Sequence, residues 1–107
     1  MRARIDEIVF DCHDPARLVR FWAELLGGDL VDRSADWSYI DPPGFVRLAF
    51  QRVPEGKAAK NRLHLDLDAG DVEEAVALGA VRMGAVVTDE HGRFQVLADP
   101  NTSNYQF

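Results

Sequence analysis

Ile8-Val9-Phe10-Asp11-Cys12-His13-Asp14-Pro15 decides the fold, because a second stretch repeats its plan. The first is an apolar strand running into a helix that carries Leu18, Phe21, Trp22 and Leu25. Leu63-His64-Leu65-Asp66-Leu67-Asp68 is another apolar strand, and it runs into a helix that carries Val72, Ala75, Val76 and Leu78. Glycine ends both helices, Gly27 in one half and Gly79 in the other. Such self-similarity points to a duplicated supersecondary unit. Duplicated open units tend to enclose a cleft, and clefts are where ligands bind.

Outward from these stretches the elements follow. The first strand spans about Ile5 to Cys12; Asp14 then caps backbone N–H groups and Pro15 is pre-set for the first helical position. Leu30 to Ser34 and Trp37 to Ile40 read as short strands, and Asp41-Pro42-Pro43-Gly44 as a turn. Val46, Leu48 and Phe50 alternate with Arg47, Ala49 and Gln51, the pattern of a half-buried strand. The polar stretch Pro54 to Asn61 links the halves, and its Lys57, Lys60 and Asn61 solvate a loop that could also cover a ligand. The second half opens with a strand from Arg62 to Leu67, and Asp71 with Glu74 has capping-box spacing for a helix from Val72. Strands then follow at Ala85 to Thr88, Arg93 to Leu97 and Tyr105 to Phe107. The order is strand, helix, three strands, twice over. One domain over 1–107 is expected, with module one about 1–53, a linker about 54–61 and module two about 62–107.

Composition narrows the function. A net charge of −6 disfavours nucleic acid, which needs a basic stripe to displace counterions, and disfavours an anionic membrane surface. No apolar run is long enough to span a bilayer, and the start of the chain has no signal-peptide pattern. The single cysteine, Cys12, cannot form an internal disulfide, so the chain reads as cytoplasmic. Cys12 shares strand parity with Ile8 and Phe10, which makes it a core thiol. His13 and His91 read as solvent-exposed, beside a helix cap and in a turn.

Side chains alternate across a strand, so each strand declares two faces. The helices must cover the apolar face and pack on Ile8, Phe10, Leu63 and Leu65. The opposite face then carries Glu7, Asp11, Arg47, Gln51, His64 and Asp66; periodicity alone allows it to meet water, as antiparallel sheets often do, and the duplication favours a concave, ligand-sized face. Trp37 and Tyr39 belong either to the core or to an aromatic pocket wall, and alternation alone does not separate the two.

With these residues in place, the chain resembles the vicinal oxygen chelate superfamily, in its glyoxalase-like and bleomycin-resistance-like branch. The resemblance is carried by Phe10 to Pro15, Leu18 to Gly27, Leu48 to Pro54, Lys60 to Leu67, Leu78-Gly79-Ala80 and Val96 to Pro100, in the right order over most of the chain. It implies an α+β fold of two βαβββ modules forming curved mixed sheets around a cleft, and a homodimer. Metal-using members of the superfamily draw ligands from three places, which correspond here to Glu7, His64 and Gln106. A divalent ion (Zn, Ni, Mn or Fe) could be held by a carboxylate, an imidazole and an amide oxygen, the last a weak donor. Glutamate stands where histidine is usual, and glutamine where glutamate is usual. The closing turn Asp99-Pro100-Asn101-Thr102-Ser103-Asn104 also lacks the family's glycine. No cofactor is assigned on this basis. The expected function is small-molecule binding of the bleomycin-resistance type, with Glu7, Arg47, Gln51, His64, Asp66 and Gln106 in the pocket and a cationic or amphipathic ligand drawn to its acidic face. The alternative is a metal-dependent lyase, isomerase or dioxygenase using Glu7, His64 and Gln106, with Asp66 or Asp11 as base.

Overall fold

The computed structural model describes residues 1–54, 65–68, 72–90 and 92–100, and the backbone of 104–106. The chain divides into two compact units, Met1–Gly56 and Lys57–Phe107. The architecture is α+β.

The first unit is one βαβββ module: β1 (Glu7–Cys12), α1 (Pro15–Leu26), β2 (Asp29–Ser34), β3 (Trp37–Asp41) and β4 (Arg47–Arg52). Its sheet is mixed, in the order β1-β4-β3-β2, with β1 parallel to β4 and the other pairs antiparallel. Helix α1 starts as its sequence dictates. The Asp14 carboxylate accepts from the Arg17 backbone N–H at 3.3 Å, and Pro15 occupies the first turn, where a missing N–H costs nothing. Leu18, Val19, Phe21 and Trp22 face inward and are buried. Gly27, at φ 79°, ends the helix, and its N–H bonds the Ala23 carbonyl at 2.8 Å.

The core differs from the expected one in a specific way. Helix α1 lies over β2, β3 and β4 rather than over β1. Leu48, Phe50 and Ile40 are therefore fully buried, while Ile8 and Phe10 are only half-buried on the sheet edge. Phe10 still stacks on Phe50, with ring centroids 5.6 Å apart and planes 18° from parallel. Cys12 is buried as a thiol.

A polar staple fixes the helix to the sheet. The Arg20 guanidinium donates to both Asp32 oxygens, at 2.7 and 3.3 Å, and the buried Ser38 hydroxyl donates to Asp32 Oδ1 at 2.8 Å. These bonds, that from Arg20 foremost, hold the Asp32 carboxyl below the ordinary carboxylate value of 3.8. A depressed folded-state value means stability that is fully present above the unfolded value and lost as pH falls through the folded one. Acid unfolding should therefore steepen below about pH 4. Asp32→Asn, which keeps an acceptor for Ser38, should flatten that limb in a pH series of urea melts, and an unchanged slope would remove Asp32 from the account.

In the second unit, Leu65 and Leu67 are half-buried and Asp66 and Asp68 exposed, and Asp66 makes an isolated bridge. The expected strand over 62–67 lies outside the described residues up to position 64, so Leu63 is not placed. The linker residues Lys57, Lys60 and Asn61, the cap Asp71, and His91 lie outside them too. Helix α2 (Val72–Ala77) begins where expected and buries Ala75. Five short strands follow: β5 (Val81–Arg82), β6 (Val87–Asp89), β7 (Gly92–Phe94), β8 (Val96–Ala98) and β9 (Asn104–Gln106). They form an antiparallel β5-β8-β9 sheet and a β6-β7 hairpin. Strand β5 was not expected, and the strand expected over Arg93 to Leu97 is two. The break falls at Gln95, whose buried side-chain amide donates to the Gly84 carbonyl at 2.6 Å. Among the described residues, no helix is long and apolar enough to cross a membrane.

Candidate functional site

Register fixes which side chains share the face of the first sheet opposite α1. Parallel pairing sets Glu7 beside Arg47, Val9 beside Ala49 and Asp11 beside Gln51. Antiparallel pairing sets Trp37 beside Gln51 and Tyr39 beside Ala49. Cross-strand partners point to the same side of a sheet. The open face therefore carries Glu7, Val9 and Asp11 on β1, Arg47, Ala49 and Gln51 on β4, and Trp37, Tyr39 and Asp41 on β3. Trp37 and Tyr39, left between core and wall by alternation, stand on this face and are half-exposed.

One corner of the face is rigid. The Arg47 guanidinium stacks on the Tyr39 ring, 3.8 Å from its centroid. Its Nε and one terminal nitrogen donate to the two Asp41 oxygens, at 2.8 and 3.2 Å. The hydrogen bond from Arg47 holds the Asp41 carboxyl below its ordinary range, and Asp41 in turn raises the affinity of Arg47 for its proton. Glu7 adds a smaller electrostatic contribution in the same direction. Arg47 is thus a fixed cation with one edge already committed to Asp41.

The other end opens into a depression of about 630 Å³ at the carboxyl ends of β1 and β4. Gln51 and Trp37 reach it from the open face, and His13, Asp36 and Arg52 rim it. Its frame is tied by backbone bonds, from Val53 N–H to the Cys12 carbonyl and from Arg52 N–H to the Asp36 carbonyl, both at 2.9 Å. The Asp36 N–H is held by Ser34 Oγ at 3.1 Å. His13, exposed as expected, and Asp36 and Arg52 were not read as site residues. Arg52 shares parity with Leu48 and Phe50, so alternation would bury it. A charged residue at a core-parity position is the signal that the strand ends there and turns its side chain out.

Of the six residues expected in the pocket, Glu7, Arg47 and Gln51 share this one face. Asp66 is exposed in the second unit. His64 lies outside the described residues, and Gln106 is placed by its backbone alone, opposite Val96 in β9. Of the three expected metal ligands, only the Glu7 side chain is described, and its register partner is a guanidinium that competes with a metal ion for the carboxylate. The described residues include no cluster of three or more His, Cys, Asp or Glu able to hold a metal.

Residues 7–107 match the family model of the glyoxalase-like domain, and the chain belongs to that family. No curated protein matches it. Solved structures share its fold. A glyoxalase-related enzyme from Fulvimarina pelagi superposes with a TM-score of 0.74 at 18% identity, over 98% of this chain and 86% of that one. The fosfomycin resistance protein FosX from Mesorhizobium loti gives 0.71 at 18%, over 99% and 91%. The bleomycin-binding protein from bleomycin-producing Streptomyces verticillus, in complex with copper(II)-bleomycin, gives 0.62 at 18%, over 100% and 97%. At 18% identity these neighbours show a shared fold, and the family assignment rests on the match over residues 7–107.

Proposed function

We propose that this chain is a small-molecule-binding protein of the bleomycin-resistance type, without catalysis of its own. The observation that supports this best is the open face of the first sheet. Half-exposed Trp37 and Tyr39 offer flat surfaces for an apolar ligand body. The Arg47–Asp41 pair offers a fixed polar contact, and Gln51 and Glu7 add polar groups, to orient it, the combination typical of small-molecule sites. The bleomycin-binding neighbour supports the same reading. The protein works as a homodimer, because a symmetric partner closes strand edges such as that of β1. A cytoplasmic setting suits the buried Cys12 thiol.

One preparation tests the reading. Protein purified without chelators should carry substoichiometric metal by mass spectrometry and bind copper(II)-bleomycin, released unaltered, in calorimetry. Light scattering on the same sample should give about twice the 12.0 kDa chain mass. Stoichiometric Zn, Ni, Mn or Fe that disappears in His64→Ala would replace this reading with the metal-dependent lyase, isomerase or dioxygenase. A ligand recovered chemically changed would do the same.

A further inference from the structure

We infer that the depression at the carboxyl ends of β1 and β4 is a subsite for a planar aromatic group bearing a carboxylate. The inference rests on the binding reading above and names the ligand chemistry at one end of the same face. Three observations carry it. First, the Trp37 ring is half-exposed at the rim, so a second ring can stack on it without displacing core. Second, two guanidiniums stand close to the subsite. Arg33 lies 5.8 Å from the Trp37 ring centroid, and Arg52 rims the depression itself. Third, the contact of Arg52 with Asp36, the acidic residue among the described lining, is loose. Arg52 reaches Asp36 at 3.9 Å, beyond hydrogen-bond distance, and both side chains are mostly exposed.

Arg52 therefore differs from Arg47 on the same sheet. Arg47 has two N–H groups spent on Asp41 at hydrogen-bond distance. Arg52 keeps its planar fork, whose spacing matches the two oxygens of a carboxylate. The backbone beneath is fixed, since Arg52 N–H bonds the Asp36 carbonyl and Asp36 N–H bonds Ser34 Oγ. Among the described residues, the fork is thus anchored at its base and, the 3.9 Å approach to Asp36 apart, uncommitted at its tip. His13 faces the same space and adds an imidazole donor, while the Gln51 amide supplies both a donor and an acceptor. Asp11 stands beside Gln51 in the register, and Asp36 is the carboxylate among the described lining residues. Asp36 is the competitor: it draws on the guanidinium that the ligand needs.

That competition supplies a test that a merely structural role would not pass. The chain has two tryptophans, and Trp22 is buried in the core, so its indole N–H resonance is an internal control for that of Trp37. Uniformly ¹⁵N-labelled protein is titrated with benzoate, benzylamine and benzyl alcohol, with Trp37→Phe used to assign the peak. Benzoate should move the Trp37 peak saturably and leave the Trp22 peak in place. Arg52→Gln should weaken benzoate about tenfold, the scale of one charge-assisted pair, and Asp36→Asn should tighten it about threefold by removing the competitor. Both substitutions are at exposed positions and leave the fold intact. Equal response to benzylamine or benzyl alcohol would overturn the inference, as would benzoate binding indifferent to Arg52→Gln. Binding of copper(II)-bleomycin without any benzoate response would overturn it while leaving the binding function standing.

Discussion

Trp22→Ala is expected to cost about 3–5 kcal/mol of stability, the range for truncating a fully buried aromatic. Trp22 is 1% exposed on the inner face of α1 and meets Phe21 edge to face at 5.5 Å. Its removal leaves a cavity in a core whose other large members, Val19, Ile40 and Leu48 among them, are fully buried and packed too closely to collapse into it freely. Urea unfolding followed by far-ultraviolet circular dichroism measures the loss as a fall in midpoint at constant slope. Phe10→Ala is the informative comparison. Phe10 belongs to the same apolar face but sits on the edge strand β1, away from α1, and should lose distinctly less. A loss at Phe10 equal to that at Trp22 would mean that the edge is covered in solution, as a partner subunit would cover it.

The contrast between Trp22 and Phe10 marks the limit of what alternation and periodicity reveal. Helix α1 was legible in full: Asp14-Pro15 states its start, Leu18, Phe21 and Trp22 its inner face, and Gly27 its end. These are local signals, and the structure keeps them. Parity likewise placed Leu48 and Phe50 inside and Arg47 and Gln51 on the other face. Parity does not say which strand is a neighbour of which. That β1 stands at an edge follows from its pairing with β4 alone, a long-range fact, and this is why Ile8 and Phe10 are half-buried rather than core. The same ignorance left Trp37 and Tyr39 ambiguous, since both readings share one alternation and only register against Gln51 and Ala49 separates them. In the second unit, Arg93 to Leu97 looks continuous because nothing local announces that Gln95 will bond the Gly84 carbonyl, eleven positions earlier. The depression was invisible for a related reason. Asp36 reads as an ordinary turn residue and Arg52 as a misplaced core position, and only the backbone bond between them brings their side chains to one rim.

Gly28→Ala is expected to be the most damaging single-methyl addition in the first unit. The sequence shows Gly27-Gly28 as a helix stop, and the structure adds a second demand on the latter. Gly28 lies at φ +104°, where an L-residue is strained, at a cost of about 1–3 kcal/mol. A Cβ built there would also run into the Asp41 carbonyl oxygen, with the Asp41 carbonyl carbon at 2.8 Å and Pro42 Cα at 3.1 Å. Those atoms are backbone and cannot rotate aside, so the end of β3 must move, adding a comparable about 1–3 kcal/mol. Gly44 provides the control. Its φ is +73° and a Cβ there meets nothing within 4 Å, so Gly44→Ala should carry the conformational cost alone. The displacement at Gly28 also reaches the site. Asp41 is the residue that fixes the Arg47 guanidinium on Tyr39, and it pairs with Asp29 at the start of β2. Gly28→Ala should therefore lower the urea midpoint by more than Gly44→Ala and shift the Arg47 Nε–H resonance, which Gly44→Ala leaves in place. Equal losses from the two substitutions would show that the close approach at Asp41 relaxes freely, and that the conformation of Gly28 alone, not the contact beneath it, requires glycine there.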